Sequence, residues 1–422
     1  MRLSVVELAD LRCAALSGYE AAQPLPPGAS SLFGPEVPFG TPAFAARDAA
    51  DLTPASVQAP AQPIAGWRAS GSLWPAERFM VRVPKRWNGR LIVAGTPSQR
   101  SEFACDRFFA DPLLARGYAY VSGNKGLGDG AVLLAPGATF AVDGTVLPRF
   151  ALSDGRSISF WQHARGSRIE RWLEEFLAIA AAAQEIVTDL HGTGPELTYA
   201  IGLSNGGYEV RRAIEESDAF AGALTWNAIV WTPEHNVLRG LPEAIAAMEA
   251  GEPQRLESLG FPHDVPARSG NGSLYAKNLA VYWYLSAWLH AVHLDPESSL
   301  PYGDVNDPAA AEAWSGKMGA WRFDRSPRIA ERVAAFSNTG RIRCKLIDLA
   351  SEYDHLVPPR IHFVEYGRLV SAAGKGNLYR GELMPDAQHV DSWSEDPEYP
   401  QMRPGYPRVM KAFDELVTWV EG

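Results

Sequence analysis

Cysteine is scarce in these 422 residues. Cys13, Cys105 and Cys344 are too few and too scattered for a disulfide framework or a zinc site. Basic charge is short as well: 39 Lys and Arg stand against 49 Asp and Glu, and the net −10 argues against binding a phosphate backbone, which needs basic patches. Long apolar runs are missing. The nearest, 279–289, is closely flanked by Lys277, Asn278, His290 and His293 and falls short of the roughly 20 residues a membrane span needs. At the N-terminus Glu7 and Asp10 interrupt what a secretory signal would keep apolar, so the cytoplasm is the expected compartment, provided no leader has been removed. With 46% hydrophobic and 21% charged residues, the chain reads as an ordinary globular protein. Its length suits an α/β unit carrying insertions.

Composition changes along the chain. Residues 1–66 are rich in Pro and Ala, with Pro24, Pro26, Pro27, Pro35, Pro38 and Pro42 closely spaced, and read as an irregular extension. Phe79–Pro84 then alternates like a strand, and Arg90–Gly95 reads as a buried one. A helical segment at 108–116 leads to another strand at 118–122. Apolar positions Trp172, Phe176, Ile179, Ala183, Ile186 and Leu190 recur at helical spacing, predicting a long helix that ends at Gly192. Strands alternating with helices at this pitch predict an α/β fold, a mostly parallel sheet covered on both faces. The core comprises 67–231 and 341–422. Between them, 232–340 lacks a clear buried strand and reads as a helical cap insertion, with helices near 241–250, 274–293 and 309–320. A strand at 342–349, a helix at 359–373, a strand at 378–383 and a helix at 413–420 complete the core.

The chemistry concentrates at Gly202-Leu203-Ser204-Asn205-Gly206, between the apolar run Leu197–Ile201 and a charged helical segment. A strand turning abruptly into a helix around a serine is a nucleophile elbow. Its strained turn requires small residues at 202 and 206. The start of the helix offers N–H groups and a positive dipole end to developing negative charge. G-x-S-x-G alone is common; its place between strand and helix makes it informative.

A serine hydroxyl needs a base, and the base needs an orienting carboxylate. In doubly wound hydrolases these follow in the order Ser, Asp or Glu, His, each past the carboxyl end of a strand. Asp354 lies in the loop after strand 342–349, and His389 in the loop after the last strand. Both positions fit. Glu352 is the rival acid. For the oxyanion hole, the N–H after the nucleophile, Asn205, combines with one from Gly95-Thr96-Pro97-Ser98. Pro97 has no N–H, so Thr96 is the choice, with Gly95 next.

This layout resembles the α/β-hydrolase superfamily over nearly all of 70–422. The Asp-x-Leu-Val-Pro segment at 354–358 is similar to its acid loop. Ser-Asn-Gly-Gly at 204–207 resembles the elbow of the tannase, feruloyl esterase and hydroxybutyrate-oligomer hydrolase group. The resemblance implies Ser204 as nucleophile, His389 as base and Asp354 as orienter. One departure stands out: that group pairs a cysteine before the serine with one beside the histidine, where this chain has Leu203 and Val390.

Other candidates have plainer accounts. His355 is expected to point outward or pack locally, and His163 to be a surface or packing histidine. His290 and His293, near Asp295, lack a third metal ligand at convincing spacing. Asp386 and Asp391 read as loop residues. The Gly123–Gly128 stretch lacks the Lys-Ser/Thr of a P-loop. Tyr275, Tyr282, Trp283, Tyr284 and Trp288 serve either as a pocket wall or as core packing. The expectation is therefore a serine esterase for a bulky, aryl or apolar small-molecule ester, with no cofactor, metal, nucleic acid or membrane span; a homo-oligomer stays open. The same triad also suits an amide or lactone hydrolase or an acyltransferase, and a non-catalytic binding protein is the more distant alternative.

Overall fold

The computed structural model describes residues 2–12, 29–31, 57–74, 77–97, 102–125, 169–279, 283–295 and 318–422, with short pieces between 131 and 160. Nine strands form one sheet: β1 (Arg2–Leu8), β2 (Gly66–Trp74), β3 (Glu77–Pro84), β4 (Arg90–Gly95), β5 (Ala119–Gly123), β6 (Leu197–Leu203), β7 (Gly222–Trp226), β8 (Lys345–Ser351) and β9 (Tyr379–Met384). Their spatial order is β1-β2-β3-β5-β4-β6-β7-β8-β9. From β5 to β9 all neighbours are parallel, while β1, β2 and β3 add an antiparallel edge.

Alternation within the strands builds two cores. Ile92, Ala94, Ile201, Leu203, Leu224, Ile347 and Leu349 face α7 (Tyr406–Glu421), which contributes Val409, Phe413 and Leu416. Leu91, Val93, Ala200, Ala223 and Leu346 face the other way. There they meet α1 (Ile169–His191), α2 (Asn205–Glu216) and α6 (Pro359–Ala372). Covered on both faces, the central strands are buried almost throughout, as apolar runs in a parallel sheet require.

Between β7 and β8 lie α3 (Val237–Glu249), α4 (Tyr284–Leu294) and α5 (Pro327–Ala335), with shorter helical pieces at Arg255–Ser258 and Leu274–Asn278. They build a third apolar cluster, which includes Trp231, Leu241, Trp283 and Phe323 and reaches Trp172 of α1 and Tyr208 of α2.

Two expectations need correction, on residues 1–66 and on the start of the last helix. Residues 1–66 are not irregular throughout: Arg2–Leu8 pairs along β2 as the sheet's edge strand, and Ala29–Ser31 joins a small second sheet. That second sheet also takes in Ala131–Leu134, Arg149–Ala151 and Ser157–Phe160, which lie between β5 and α1 in the chain. β3 alternates in sequence yet is buried on both faces, because Arg82 is paired with Asp106 rather than solvated. Burial pushes the Asp106 carboxyl up to about 7. The last helix starts at Tyr406, seven residues before its first expected position at Phe413, since Pro407 is tolerated in a first helical turn.

Candidate active site

Chain order reverses direction across the sheet between β4 and β6, where β5 lies to one side and β7 to β9 to the other. Ligands bind at such switch points, beyond the carboxyl ends of the strands. Register aligns those ends: Gly95 pairs with Gly202, Leu203 with Trp226, Trp226 with Leu349, and Ser351 with Met384. The loops that follow carry Thr96, Ser204, Asn227, Asp354 and His389.

Ser204 sits between β6 and α2 at φ 59°, ψ −121°, a backbone conformation costly for a residue with a side chain. Close approach holds it there. A Cβ on Gly206 would lie 2.0 Å from the Gly95 carbonyl oxygen, and one on Gly202 would lie 2.3 Å from that of Gly206. The small residues required by the sequence pattern are thus required by contact. Ser204 N–H donates to the Trp226 carbonyl at 2.9 Å, and the Ser204 carbonyl accepts from Tyr208 N–H at 3.1 Å.

Asp354 and His389 meet. His389 Nδ1 lies 2.6 Å from Asp354 Oδ2, while Asp354 Oδ1 accepts from the N–H groups of Leu356 (2.9 Å) and Val357 (2.7 Å). A carboxylate at Nδ1 favours the tautomer with hydrogen there, which leaves the Nε2 lone pair free to take a proton. Glu352, the rival acid, instead accepts from Asp386 N–H at 3.1 Å in a partly exposed loop.

Three groups around this pair were not assigned from sequence. Asn227 directly follows β7, and its Nδ2 donates to the His389 carbonyl (3.0 Å) and to Ser351 Oγ (3.0 Å). Its Oδ1 accepts from Ser351 N–H at 2.7 Å. Ser204 and His389 are therefore bonded to the consecutive residues Trp226 and Asn227. Gln388 and His355, the chain neighbours of His389 and Asp354, form a second rung: Gln388 Nε2 is 2.7 Å from His355 Nδ1. His355 is buried, not outward-facing, and burial lowers its pKa. Its Nε2 reaches the His263 carbonyl at 2.9 Å, and its own carbonyl accepts from Trp283 Nε1 at 2.8 Å. Asp391 is more than a loop residue: its two oxygens accept from the N–H groups of Gly405 (2.7 Å) and Tyr406 (2.9 Å), pinning the histidine loop to the start of α7. Polar residues at a strand's carboxyl end, or next to Asp354 and His389, were the available signals.

Asn205 is the first residue of α2, and Thr96 is buried immediately after β4, beside Gly206. Elsewhere, His290 packs on Trp231 with ring centroids 5.2 Å apart, and burial lowers it to about 4. His293 Nε2 lies 3.0 Å from Glu170 Oε2. Asp295 pairs with Arg325 at 3.2 Å. Among the described residues no group of His, Cys, Asp and Glu could hold a metal ion. Tyr275 and Trp283 pack against each other and Tyr275 against His355, as core rather than as an open wall. Leu203 and Val390 are both buried in the core on the α7 face. His163, Tyr282, Ser98 and Gly126–Gly128 lie outside the described residues, as do the side chains of Tyr284 and Trp288. No helix among the described residues is long and apolar enough to cross a membrane.

A mostly parallel sheet covered on both faces, a strained serine turn on its central strand, and Ser, Asp and His in that chain order past the ends of β6, β8 and β9 define an α/β-hydrolase fold. Among solved structures, the chain is similar to tannin acyl hydrolase from Aspergillus niger at 12% identity and a TM-score of 0.46, over 99% of this chain and 82% of that one. Feruloyl esterase B from Aspergillus oryzae follows at 12% and 0.44, over 85% and 81%. Acylaminoacyl peptidase from Pyrococcus horikoshii gives 13% and 0.41, over 82% of this chain but only 40% of the peptidase. No family model and no curated protein matches. At these identities and scores the fold rests on the chain's own strand order and elbow.

Proposed function

We propose that this protein is a serine hydrolase acting on carboxylic esters, with Ser204, His389 and Asp354 as its triad. The observation that carries this reading is the His389–Asp354 hydrogen bond, held on a loop whose backbone is tied through Asn227 to the strand end that also anchors Ser204.

In the acylation step, Ser204 Oγ attacks the ester carbonyl carbon and His389 Nε2 takes the hydroxyl proton. Asp354 keeps Nδ1–H in place and stabilises the imidazolium that forms. The oxyanion is met by the N–H groups of Asn205 and Thr96, each such donor typically worth about 3 kcal/mol of barrier. Collapse breaks the bond to the alcohol, which leaves with the proton from His389. Water, deprotonated by the same imidazole, then releases the carboxylic acid and restores Ser204. The chemistry calls for no cofactor or metal. The 232–340 segment acts as a cap beside the site, and the reading extends to bulky, aryl or medium-chain acyl groups in preference to acetate.

Intact-mass spectrometry after exposure to a fluorophosphonate tests the nucleophile. Single-site labelling that disappears in Ser204→Ala is the expected result. Labelling that survives the substitution would assign the nucleophile to another serine. A folded protein that neither labels nor cleaves p-nitrophenyl esters would overturn the hydrolase reading in favour of a binding role. A panel of matched esters, amides and lactones, with and without an added alcohol acceptor, separates ester hydrolysis from its nearer relatives.

A further inference from the structure

The glycine-rich segment after β5 is absorbed by none of this chemistry, yet it places a buried lysine under the oxyanion loop. Lys125 lies two residues past β5, in the left-handed region at φ 58°, and is 2% exposed. Its backbone N–H donates to Glu175 Oε1 of α1 at 2.9 Å, which holds this unusual conformation. The side chain reaches the residue that follows β4. Its Nζ donates to the Thr96 carbonyl and, at 2.7 Å, to Thr96 Oγ1, and it lies 3.0 Å from Glu209 Oε2. Three acceptors within reach of one ammonium match its three N–H bonds. Trp172 of α1 adds a ring face 5.6 Å from the charge.

These partners belong to the two elements that carry the oxyanion donors. Thr96 is the donor after β4. Glu209 lies one helical turn beyond Asn205 on α2, so the ammonium bridges the two donor-bearing elements across the switch point. The Thr96 hydroxyl also donates to the Gly123 carbonyl at 3.2 Å. With carbonyl and side chain both held, Thr96 cannot rotate its N–H without breaking bonds to Lys125. A buried, preorganised donor costs no reorganisation when the oxyanion forms.

We infer that Lys125 is a positioning residue for the oxyanion hole, holding the Thr96 and Asn205 N–H groups in mutual register. The inference rests on the serine-hydrolase reading. A role confined to stability would instead lower the melting temperature and leave turnover per working site unchanged.

The test compares wild type with Lys125→Met and with Lys125→Met/Glu209→Gln, the double variant removing both charges so that neither is buried alone. Sites are counted by complete fluorophosphonate titration, and kcat is expressed per titrated site. The expected result is a kcat about 10- to 100-fold lower with KM within about twofold, the signature of an interaction made in the transition state. Affinity for a boronic acid that forms a tetrahedral adduct on Ser204 falls in parallel. Thr96→Val keeps the Lys125–Glu209 pair and removes one of the ammonium's acceptors; it lowers kcat several-fold in the same direction, which holds the test open should the lysine variants fail to fold. Unchanged kcat per site, or unchanged boronate affinity, overturns the inference alone. Wild type that neither labels nor turns over an ester overturns the hydrolase reading and this inference with it.

Discussion

Asn227 shows how much a single residue governs the proposed site. It sits at φ 49°, where Asn is tolerated better than most residues, and it spans β7, β8 and the histidine loop. Asn227→Ala removes both the conformational tolerance and the bond to the His389 carbonyl. The expected outcome is a kcat lower by about 10- to 100-fold, as for other small misplacements of a catalytic group, together with a lower melting temperature. Asn227→Gly restores the backbone freedom but not the bond. It should recover part of the stability and none of the activity, so recovery of both would show that backbone conformation alone matters. Gly206 is governed by space: Gly206→Ala forces a methyl against the Gly95 carbonyl, and a loss on the order of 3 kcal/mol or more in urea unfolding is expected. Ser204, Asp354 and His389 could be proposed from sequence because the chemistry expected of them is tied to chain order and strand ends. Lys125 and Asn227 were not, because their partners are 29 and 162 residues away in sequence.

At the scale of elements, the histidine loop depends on α7 through Asp391. Burial pushes this carboxyl up to about 6 despite its two backbone donors. A folded-state pKa above the unfolded value means that the native protein holds the proton more tightly. The contribution to stability is therefore complete below about pH 4 and is lost as pH rises through about 6, a change of roughly 3 kcal/mol. Asp391→Asn cannot titrate. Subtracting its melting profile from that of wild type between pH 4 and 7 should reveal this slope, and parallel profiles would show that Asp391 does not titrate there. Element identity came through well from periodicity: α1, β4, β6 and β8 lie within a few residues of their expected bounds. β1 was missed because an edge strand exposed along most of its length has no buried face to imprint a pattern.

For the whole molecule, the 232–340 segment is built into the proposed catalytic machinery as well as placed beside it. Trp283 donates to the His355 carbonyl of the acid loop, Lys277 pairs with Asp396 beyond the histidine, and Ser269 N–H donates to Glu398 at 2.9 Å. Trp283→Phe keeps the packing and deletes the donor. Because the effect passes through the acid loop, kcat should fall several-fold for acetate and longer-chain p-nitrophenyl esters alike. A change confined to chain-length preference would instead make Trp283 a pocket wall. The sequence by itself determined the alternation of strands and helices, the small residues around Ser204, and the chain order of Ser, Asp and His, since each is a local rule of periodicity, sterics or connection. Only the tertiary structure decided which polar residues hold these groups in place. Burial beside a partner distant in the chain joins Lys125, Asn227, Gln388 and His355 to the proposed site, and no local pattern records which partner folding will bring.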